Sequence, residues 1–301
     1  MADNQITRVL ILGGGFAGLE AAQTLERIFK KNDKIHITLV DKNNYLVFTS
    51  MLAEVVSSSI DSKHVVIPIR ECLGKASFME LEVESIDLEN RTAAGIHSRS
   101  SNSVTLDYDY LLIAMGSITG FHGVPGAEDN SFPLKNLADA MVLRSHVIDM
   151  FELADLEKDH EVRRRLLTFA VVGGGYTGIE VAAELNDFVH SSRRFYKHID
   201  PKEVKVVVVD PGDRIMHEMP EGLAEYGKSL LMKRGMEFRL NTRVANVTAD
   251  ALETADGERI ETHTAIWAAG TSPNRVIAGL PFADKRGRID VNEYMEVPGH
   301  P

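Results

Sequence analysis

Short apolar runs rich in β-branched residues alternate along this chain with stretches that have helical spacing. Residues 8–12 (RVLIL) form the first such run and predict a buried parallel strand. Residues 19–29 then place apolar side chains at helical intervals, which predicts a helix. A second strand is predicted over residues 34–41 (KIHITLVD). The pattern is that of a β-α-β unit.

The same order of elements returns in the second half of the chain. Residues 168–172 (TFAVV) predict a strand, helical spacing begins at Ile179, and residues 204–210 (VKVVVVD) predict the next strand. Each half also closes with an apolar run that a glycine breaks, over residues 108–114 and 265–268. We therefore expect an α/β fold with two Rossmann-like dinucleotide-binding domains, mainly parallel sheets and helical crossovers.

The length and the repeat together predict two domains, which we place at residues 1–120 and 121–285. Residues 286–301 are expected to return to the first domain. Within the second domain, residues 150–167 (MFELADLEKDHEVRRRLL) have an amphipathic pattern and predict one helix that packs on it.

A glycine-rich loop, GGGFAG, lies between the first predicted strand and helix, in the context that a G-x-G-x-x-G motif requires. Gly13 permits a tight turn, Gly15 lets the backbone approach a pyrophosphate, and Gly18 allows close packing of the helix. Asp41, at the end of the second strand, is suited to bind the hydroxyl groups of a ribose. These residues predict a dinucleotide site.

The second loop, GGGYTG, repeats the motif with Gly173, Gly175 and Gly178. Asp210 ends the following strand, and its charge would repel a 2′-phosphate, which favours NAD over NADP. Arg214 lies close by in sequence and is the counter-argument, because an arginine there could accept that phosphate. We favour NAD.

Composition excludes several other classes of function. The chain has 301 residues and a net charge of −11, so it lacks the basic character of a nucleic-acid-binding protein. Its single cysteine, Cys72, cannot form an internal disulfide and argues against reductases that use paired cysteines. No H-E-x-x-H or C-x-x-C motif predicts a metal site. No apolar run reaches the ~20 residues of a membrane-spanning helix.

The two loops, each followed by a strand that ends in Ala-x-Gly or Ala-Gly, resemble those of the two-dinucleotide-domain flavoprotein reductases. Within that superfamily, four stretches are similar to type II NADH dehydrogenase, the single-subunit NADH:quinone oxidoreductase. They are residues 43–55 (NNYLVFTSMLAEV), 162–185 (VRRRLLTFAVVGGGYTGIEVAAEL), 198–215 (HIDPKEVKVVVVDPGDRI) and 265–274 (AIWAAGTSPN).

The resemblance implies an enzyme of the respiratory chain that does not pump protons. FAD would occupy the first site and NADH the second, and a hydride would pass from NADH to the flavin before electrons pass to a quinone. The protein would bind, orient and tune the cofactor. Two alternatives stay open: a soluble NADH oxidase or diaphorase of the same architecture, and a non-catalytic nucleotide-binding redox sensor.

The resemblance also implies cofactor contacts on particular residues. Those for FAD are Gly13, Gly15, Phe16, Ala17 and Gly18 at the pyrophosphate, Asp41 at the ribose, Lys42 and Val83 at the adenine, Thr49 and Ser50 near the flavin ring, and Ala114 and Gly116 lining the site. Those for NADH are Gly173, Gly175, Tyr176, Thr177 and Gly178 at the pyrophosphate, Asp210 at the ribose, and Ala269 and Gly270 on the nicotinamide side.

Glu180 is the candidate catalytic side chain. The resemblance implies a carboxylate near nicotinamide and flavin that helps NADH bind and relays a proton for quinone reduction. A purely structural interpretation places Glu180 in the first helical turn, where the helix dipole stabilises a carboxylate. Glu184 lies four residues later on the same helix face and is expected to be structural.

The sequence departs from the family in two loops and at its end. Ser50 and Tyr176 stand where the family commonly has proline, and neither departure alters a glycine. The family continues beyond this point with a third FAD motif and a segment that carries quinone contacts and an amphipathic membrane anchor. We expect that segment to complete the first domain, most of the quinone site and the membrane contact, with the protein cytoplasmic, peripheral on the inner face of the cell membrane, and able to form a homodimer.

Overall fold

A computed structural model describes residues 6–97 and 99–300 of the chain. The α-helices are α1 Phe16–Ile28, α2 Leu52–Val56, α3 Ile69–Cys72, α4 Ala127–Asn130, α5 Leu137–Leu156, α6 His160–Leu166, α7 Tyr176–Ser192, α8 Glu221–Lys233 and α9 Arg275–Ala278. Short 3-10 helices are at Thr49–Met51, Ser62–His64, Arg193–Phe195 and Pro201–Glu203.

The strands are β1 Thr7–Leu12, β2 Ile35–Asp41, β3 Tyr45–Val47, β4 Val66–Pro68, β5 Ser77–Glu80, β6 Glu82–Asp87, β7 Thr92–Ile96, β8 Ser103–Asp107, β9 Tyr110–Ile113, β10 Ser117–Thr119, β11 Phe132–Pro133, β12 Thr168–Val172, β13 Lys205–Val209, β14 Glu237–Arg239, β15 Val244–Thr248, β16 Ala251–Thr254, β17 Arg259–Glu261, β18 Thr264–Trp267 and β19 Thr271–Pro273. Two short pairs, β3 with β4 and β10 with β19, stand apart from the larger sheets.

The chain divides into two compact units. The first unit contains the described residues up to Val47, Val66–Ile118 and the residues from Ser272 onward, and the second unit contains Phe48–Val65 and Thr119–Thr271. These bounds differ from the predicted domains at three places, because residues 48–65 and 119–120 belong to the second unit and residues 272–285 to the first. The short helix α2 explains the first difference, since it packs on α5 and α7.

The first unit is built on a four-stranded parallel sheet in the order β5-β2-β1-β9. Alternate side chains of β1 face opposite sides of this sheet. Ile11 packs with Leu39 and with Leu19 of α1 on one side. Leu12 packs on the other side with residues of the antiparallel sheet β6-β7-β8. The sheet is therefore covered on both faces, which explains the continuous apolar run of β1 at residues 9–12.

The second unit repeats this plan. Its parallel sheet has the order β11-β18-β12-β13-β14, and an antiparallel sheet, β15-β16-β17, packs on one face. The helix α7 contacts β12 and β13 and buries Ile179, Ala182 and Leu185. In the first sheet, β1, β2, β5 and β9 are strands 1 to 4 in chain order, so the order across the sheet is 3-2-1-4. In the second sheet, β12, β13, β14 and β18 give the same order, with β11 added beside β18. This is the order of a Rossmann half. The predicted α/β fold class, with mainly parallel sheets and helical crossovers, is confirmed.

The predicted single helix over residues 150–167 is wrong, because two helices occupy this stretch. The backbone of Glu157 is extended (φ −73°, ψ 132°) and ends α5. The side chain of Asp159 then accepts hydrogen bonds from the N–H groups of Glu161 and Val162 and caps α6. An amphipathic pattern cannot reveal such a break, since both helices pack in the same unit and keep the apolar spacing.

In the described part of the chain, no helix combines the length and the apolar character that crossing a bilayer requires.

Candidate functional site

The first glycine loop joins the carboxyl end of β1 to the amino end of α1. Gly13 has a φ of +107°, and a Cβ atom there would overlap the carbonyl oxygen of Ala114 at the end of β9. A Cβ atom on Gly18 would likewise overlap the carbonyl oxygen of Gly13. Both positions therefore require glycine for steric reasons inside the protein itself.

Gly15 has a different environment. A Cβ atom at this residue would meet none of the described atoms within 4 Å, and its φ of −73° suits any residue. Gly15, Phe16 and Ala17 are all exposed. The loop thus leaves open space in front of the amino end of α1, where backbone N–H groups and the helix dipole favour an anion. This is a fitting cradle for a pyrophosphate.

The carboxylate of Asp41 braces the loop from the end of β2. Its Oδ2 accepts a hydrogen bond from the N–H of Gly14 at 2.7 Å, and its Oδ1 accepts one from the N–H of Asn43 at 2.8 Å. A Cβ atom on Gly14 would lie only 3.0 Å from the Cβ of Asp41. Sequence reasoning missed Gly14, and the signal that could have revealed it is the uninterrupted run of three glycines.

The second loop reproduces this geometry. Gly173 has a φ of +112°, and its Cβ position lies 2.9 Å from the carbonyl carbon of Ala268, while a Cβ atom on Gly178 would overlap the carbonyl oxygen of Gly173. Gly175 again faces open space among the described residues, with no atom within 4 Å of its Cβ position. Gly175, Tyr176 and Thr177 are exposed.

Asp210 braces the second loop as Asp41 braces the first. Its Oδ2 accepts from the N–H of Gly174 at 2.6 Å, and its Oδ1 accepts from the N–H of Gly212 at 2.7 Å. The guanidinium of Arg214, the residue that could favour NADP, donates to the carbonyl oxygen of His217 at 3.0 Å. Arg214 is therefore engaged within its own loop.

The remaining residues predicted for the first site lie at several places. Lys42 is exposed directly after Asp41. Val83 lies on β6 and packs in the same apolar cluster as Val40 of β2. Gly116 follows β9 with a φ of +64°. Thr49 and Ser50 are exposed on a 3-10 helix whose residues belong to the second unit.

The rings of Trp267 and His122 hold the residues that follow β18 in the second unit. Sequence reasoning did not assign these two side chains to the site. Trp267 Nε1 donates to the carbonyl oxygens of Gly120 at 2.9 Å and Ala269 at 3.1 Å. Nε2 of His122 lies 3.0 Å from the same Ala269 oxygen. Gly270 has a φ of +84°, and a Cβ atom there would overlap the His122 ring. Ala268, next to Gly173, occupies the position that matches Ala114 in the first unit.

Glu180 is the fifth residue of α7, since this helix begins at Tyr176. The expectation that it lies in the first helical turn is therefore wrong, and the dipole of that turn does not account for it. The residue is exposed overall, yet partial burial of its carboxyl group raises the pKa, and the negative charge of Glu54 on α2 raises the pKa further. Sequence reasoning missed Glu54, because only the packing of α2 on α7 brings it there.

Among the described residues, no group of three or more histidine, cysteine, aspartate or glutamate side chains has the arrangement of a metal site. The polar groups around the two loops are instead those that dinucleotides contact, namely backbone N–H groups, open glycines and an aspartate at a strand end.

Two Rossmann units, each with a braced glycine loop at the amino end of a helix, define an α/β protein with two dinucleotide-binding cradles. The chain belongs to the pyridine nucleotide-disulphide oxidoreductase family, whose sequence profile matches residues 7–301.

Individual relatives within this family indicate which of its members the chain resembles. The chain is 32% identical to the mitochondrial external alternative NAD(P)H-ubiquinone oxidoreductase B3 of Arabidopsis thaliana, over 97% of this chain and 52% of that protein. It is 28% identical to the type II NADH:quinone oxidoreductase Ndh of Mycobacterium tuberculosis, over 98% of this chain and 65% of that protein. The predicted resemblance to type II NADH dehydrogenases is confirmed.

A solved structure, that of NDH2 from Plasmodium falciparum in complex with NADH, matches with a TM-score of 0.90 and 25% identity over 99% of this chain and 62% of that chain. The chain thus spans about half the length of the Arabidopsis relative and less than two thirds of the other two.

Proposed function

We propose that this chain is the dinucleotide-binding part of an FAD-dependent type II NADH:quinone oxidoreductase. The observation that carries this proposal is the duplicated cradle, in which Gly15 and Gly175 each leave open space before a helix amino end. The relatives named NADH:quinone or NAD(P)H-ubiquinone oxidoreductases support it, as does the likeness to a structure determined with NADH.

In this proposal the first unit binds FAD and the second binds NADH. The exposed backbone of Gly15, Phe16 and Ala17 approaches the FAD pyrophosphate, and that of Gly175, Tyr176 and Thr177 approaches the NADH pyrophosphate. Lys42 and Val83 flank the adenine of FAD. Thr49 and Ser50 lie near the flavin ring, Ala114 and Gly116 line the FAD site, and Ala269 and Gly270 contact the nicotinamide side.

Asp41 and Asp210 have two tasks in this assignment. Each carboxylate already accepts one backbone hydrogen bond on each oxygen. Because an ionised carboxylate has about four lone-pair sites, each oxygen can accept a second bond, from a ribose hydroxyl. The same aspartate can therefore hold the loop in shape and bind the nucleotide.

When bound, FAD supplies the redox chemistry, accepting a hydride from NADH and passing two electrons to a quinone. The chain contributes binding, orientation and a carboxyl group, Glu180. Since partial burial raises the pKa of Glu180, this group keeps a proton to a higher pH than an exposed glutamate and is suited to exchange one near the nicotinamide.

The family resemblance also leads us to propose a quinone as acceptor, attachment at the inner face of the cell membrane, and a homodimer. These features are those of the whole family members, and this chain spans about half to two thirds of the length of the relatives named above.

The test uses the visible flavin band of the chain loaded with FAD. We expect NADH to bleach the band in the wild type. Gly15→Val should lose the band while NADH binding, followed by nucleotide fluorescence, persists. Gly175→Val should keep the band and no longer bleach at the same NADH concentration. If both variants keep the flavin band and NADH bleaches it at the wild-type rate, the assignment of the two loops is refuted. Quinone-dependent reoxidation separates the proposal from an NADH oxidase, and a lack of bleaching in the wild type would favour a redox sensor.

A further inference from the structure

The residues that leave β18 lie directly against the second glycine loop. The N–H of Ala268 donates to the carbonyl oxygen of Val172 at 2.8 Å. A Cβ atom on Gly173 would lie 2.9 Å from the backbone nitrogen of Ala269. Because ligands of parallel sheets bind beyond the carboxyl ends of the strands, the peptide between Ala269 and Gly270 leaves β18 beside the open cradle. This is the peptide that the proposed function assigns to the nicotinamide side.

The carbonyl oxygens of Ala269 and Gly270 both accept hydrogen bonds from residues that precede α4. Nε2 of His122 lies 3.0 Å from the Ala269 oxygen, and since a carbonyl oxygen only accepts, Nε2 carries the proton and donates it. The indole N–H of Trp267 donates to the same oxygen at 3.1 Å and to that of Gly120 at 2.9 Å. The N–H of Gly120 donates to the Gly270 oxygen at 3.3 Å. We call Gly120, His122, Trp267, Ala269 and Gly270 the strand-end network.

The strand-end network is built into the packing of the second unit. Trp267 is only 2% exposed, so its N–H needs partners inside the protein. Gly270 has a φ of +84°, and its Cβ position lies 2.3 Å from Nε2 of His122, so a side chain there would displace the ring. His122 itself has a φ of +53°, which is uncommon for a residue with a side chain. Such backbone conformations persist where the surrounding contacts impose them, and they are frequent at ligand sites.

The first unit differs from the second at the matching position. Gly116 follows β9 as Gly270 follows β18, and it also has a positive φ, of +64°. A Cβ atom on Gly116, however, would meet none of the described atoms within 4 Å. An imidazole ring fills this space in the second unit, whereas no described residue fills it in the first. His122 is therefore an addition to the duplicated plan, in the unit to which we assign NADH.

We propose that His122 is a positioning residue for the nicotinamide of NADH: its N–H fixes the Ala269 carbonyl, and with it the peptide that meets the nicotinamide. The inference rests on the proposed function and deepens it by naming the side chain that orients this peptide. A group that is ordered before the ligand arrives binds better, because less freedom is lost on binding. Asp210 and the glycine loop bind the other end of the nucleotide in this assignment, so loss of the His122 bond should weaken the nicotinamide contact alone.

The experiment compares two ligands, NAD⁺ and ADP-ribose, because ADP-ribose lacks the nicotinamide. Calorimetric titration of the whole chain gives both affinities, and we expect NAD⁺ to bind more tightly. His122→Phe keeps a ring beside Gly270 but has no N–H, and should reduce the ratio of the two affinities about fivefold, which corresponds to one hydrogen bond. His122→Gln keeps an N–H donor and should stay within about twofold of the wild-type ratio. Gly270→Ala, whose methyl group would displace the ring, should reduce the ratio as His122→Phe does.

The matched control is His263→Phe. Nδ1 of His263 also faces a backbone carbonyl oxygen, that of Ala249 at 3.2 Å, but this histidine precedes the amino end of β18, away from the cradle. The control should leave the ratio of NAD⁺ to ADP-ribose affinity unchanged. Amide NMR spectra establish that each variant is folded.

The ratio separates positioning from a general structural role, because a structural role would lower both affinities alike. An unchanged ratio in folded His122→Phe overturns the inference, even if NADH bleaches the flavin normally. Equal affinities of the wild type for NAD⁺ and ADP-ribose overturn it as well. A reduced ratio in a protein whose flavin NADH cannot reduce supports the inference and overturns the proposed function instead.

Discussion

Gly15 and Gly18 belong to the same loop, yet the space around their Cα atoms differs. An added methyl group at Gly15 points into open space, whereas at Gly18 it overlaps a backbone carbonyl oxygen that cannot move alone. Gly18 is therefore required by the fold, whereas the space beside Gly15 suits the pyrophosphate contact that we propose for it. The same contrast holds between Gly175 and Gly178.

This contrast predicts opposite outcomes for two alanine variants. Gly18→Ala should lower the free energy of unfolding by about 1–3 kcal/mol, because the loop and α1 must separate. Gly15→Ala should stay within about 0.5 kcal/mol of the wild type and weaken FAD binding instead. Urea unfolding and flavin titration measure the two effects. Equal loss of stability in both variants would contradict this division of roles.

Asp210 predicts the choice of nucleotide. We expect NADH to bind at least about tenfold more tightly than NADPH, a difference of about 1.4 kcal/mol, because the carboxylate repels a 2′-phosphate. Asp210→Asn should reduce the ratio of NADH affinity to NADPH affinity. Its remaining carbonyl oxygen can still accept one of the two backbone hydrogen bonds that hold the loop. Fluorescence titration with both nucleotides gives the ratio, and Asp41→Asn is the control that should leave it unchanged. Equal affinities in the wild type would disprove the claim.

At the scale of elements, the ion pair of Arg163 with Glu203 ties α6 to the segment before β13. Nη2 and Nε of Arg163 donate to Oε1 of Glu203 at 2.7 and 3.0 Å, and the two side chains are only 12% and 19% exposed. Burial alone would raise the pKa of Glu203, but the hydrogen bonds from Arg163 and the backbone of Asp200 lower it overall. The arginine run at residues 163–165 thus includes a structural contact.

Glu203→Gln should cost about 1–3 kcal/mol of stability at neutral pH, because Arg163 loses a charged acceptor. A lowered pKa in the folded state means that the stabilisation is present above the pKa of the unfolded chain and is lost as the pH falls through the folded pKa. The difference between variant and wild type should therefore shrink in acid. Urea unfolding over a pH series tests this. Glu225→Gln breaks an exposed pair with Lys228 and should cost less than about 0.5 kcal/mol; a similar loss in both variants would contradict the prediction.

For the molecule as a whole, the two units carry the same sheet order and the same loop geometry, but each has its own apolar clusters. A ligand stabilises the unit that binds it, by about 2.7 kcal/mol at a hundred times its dissociation constant. We therefore expect NADH to slow hydrogen exchange more in β12 and β13 than in β1 and β2 of the flavin-free chain. Mass spectrometry of peptic fragments reports this, and stronger protection of β1 and β2 would reverse the assignment of the units.

Local patterns were sufficient to predict the strands and loops around both sites. The strand β12 has the predicted bounds, and β1, β13 and β18 differ from theirs by a single residue at either end. The reason is steric: an apolar run followed by three glycines and a helical pattern has few other conformations. The predicted cofactor contacts of Phe16, Tyr176 and their neighbours stay predictions, although the exposure of these residues suits that role.

Sequence by itself therefore determined the duplicated β-loop-α motif, the fold class and the aspartates at the strand ends, because these depend on residues that are neighbours along the chain. Only the tertiary structure decided the rest. It assigned residues 48–65 to the second unit, broke the helix near Glu157 and brought Ser57, after α2, into hydrogen-bond contact with Glu184 of α7. The first and last of these outcomes depend on packing between residues more than a hundred positions apart, as Ser57 and Glu184 are, and no local period records such contacts.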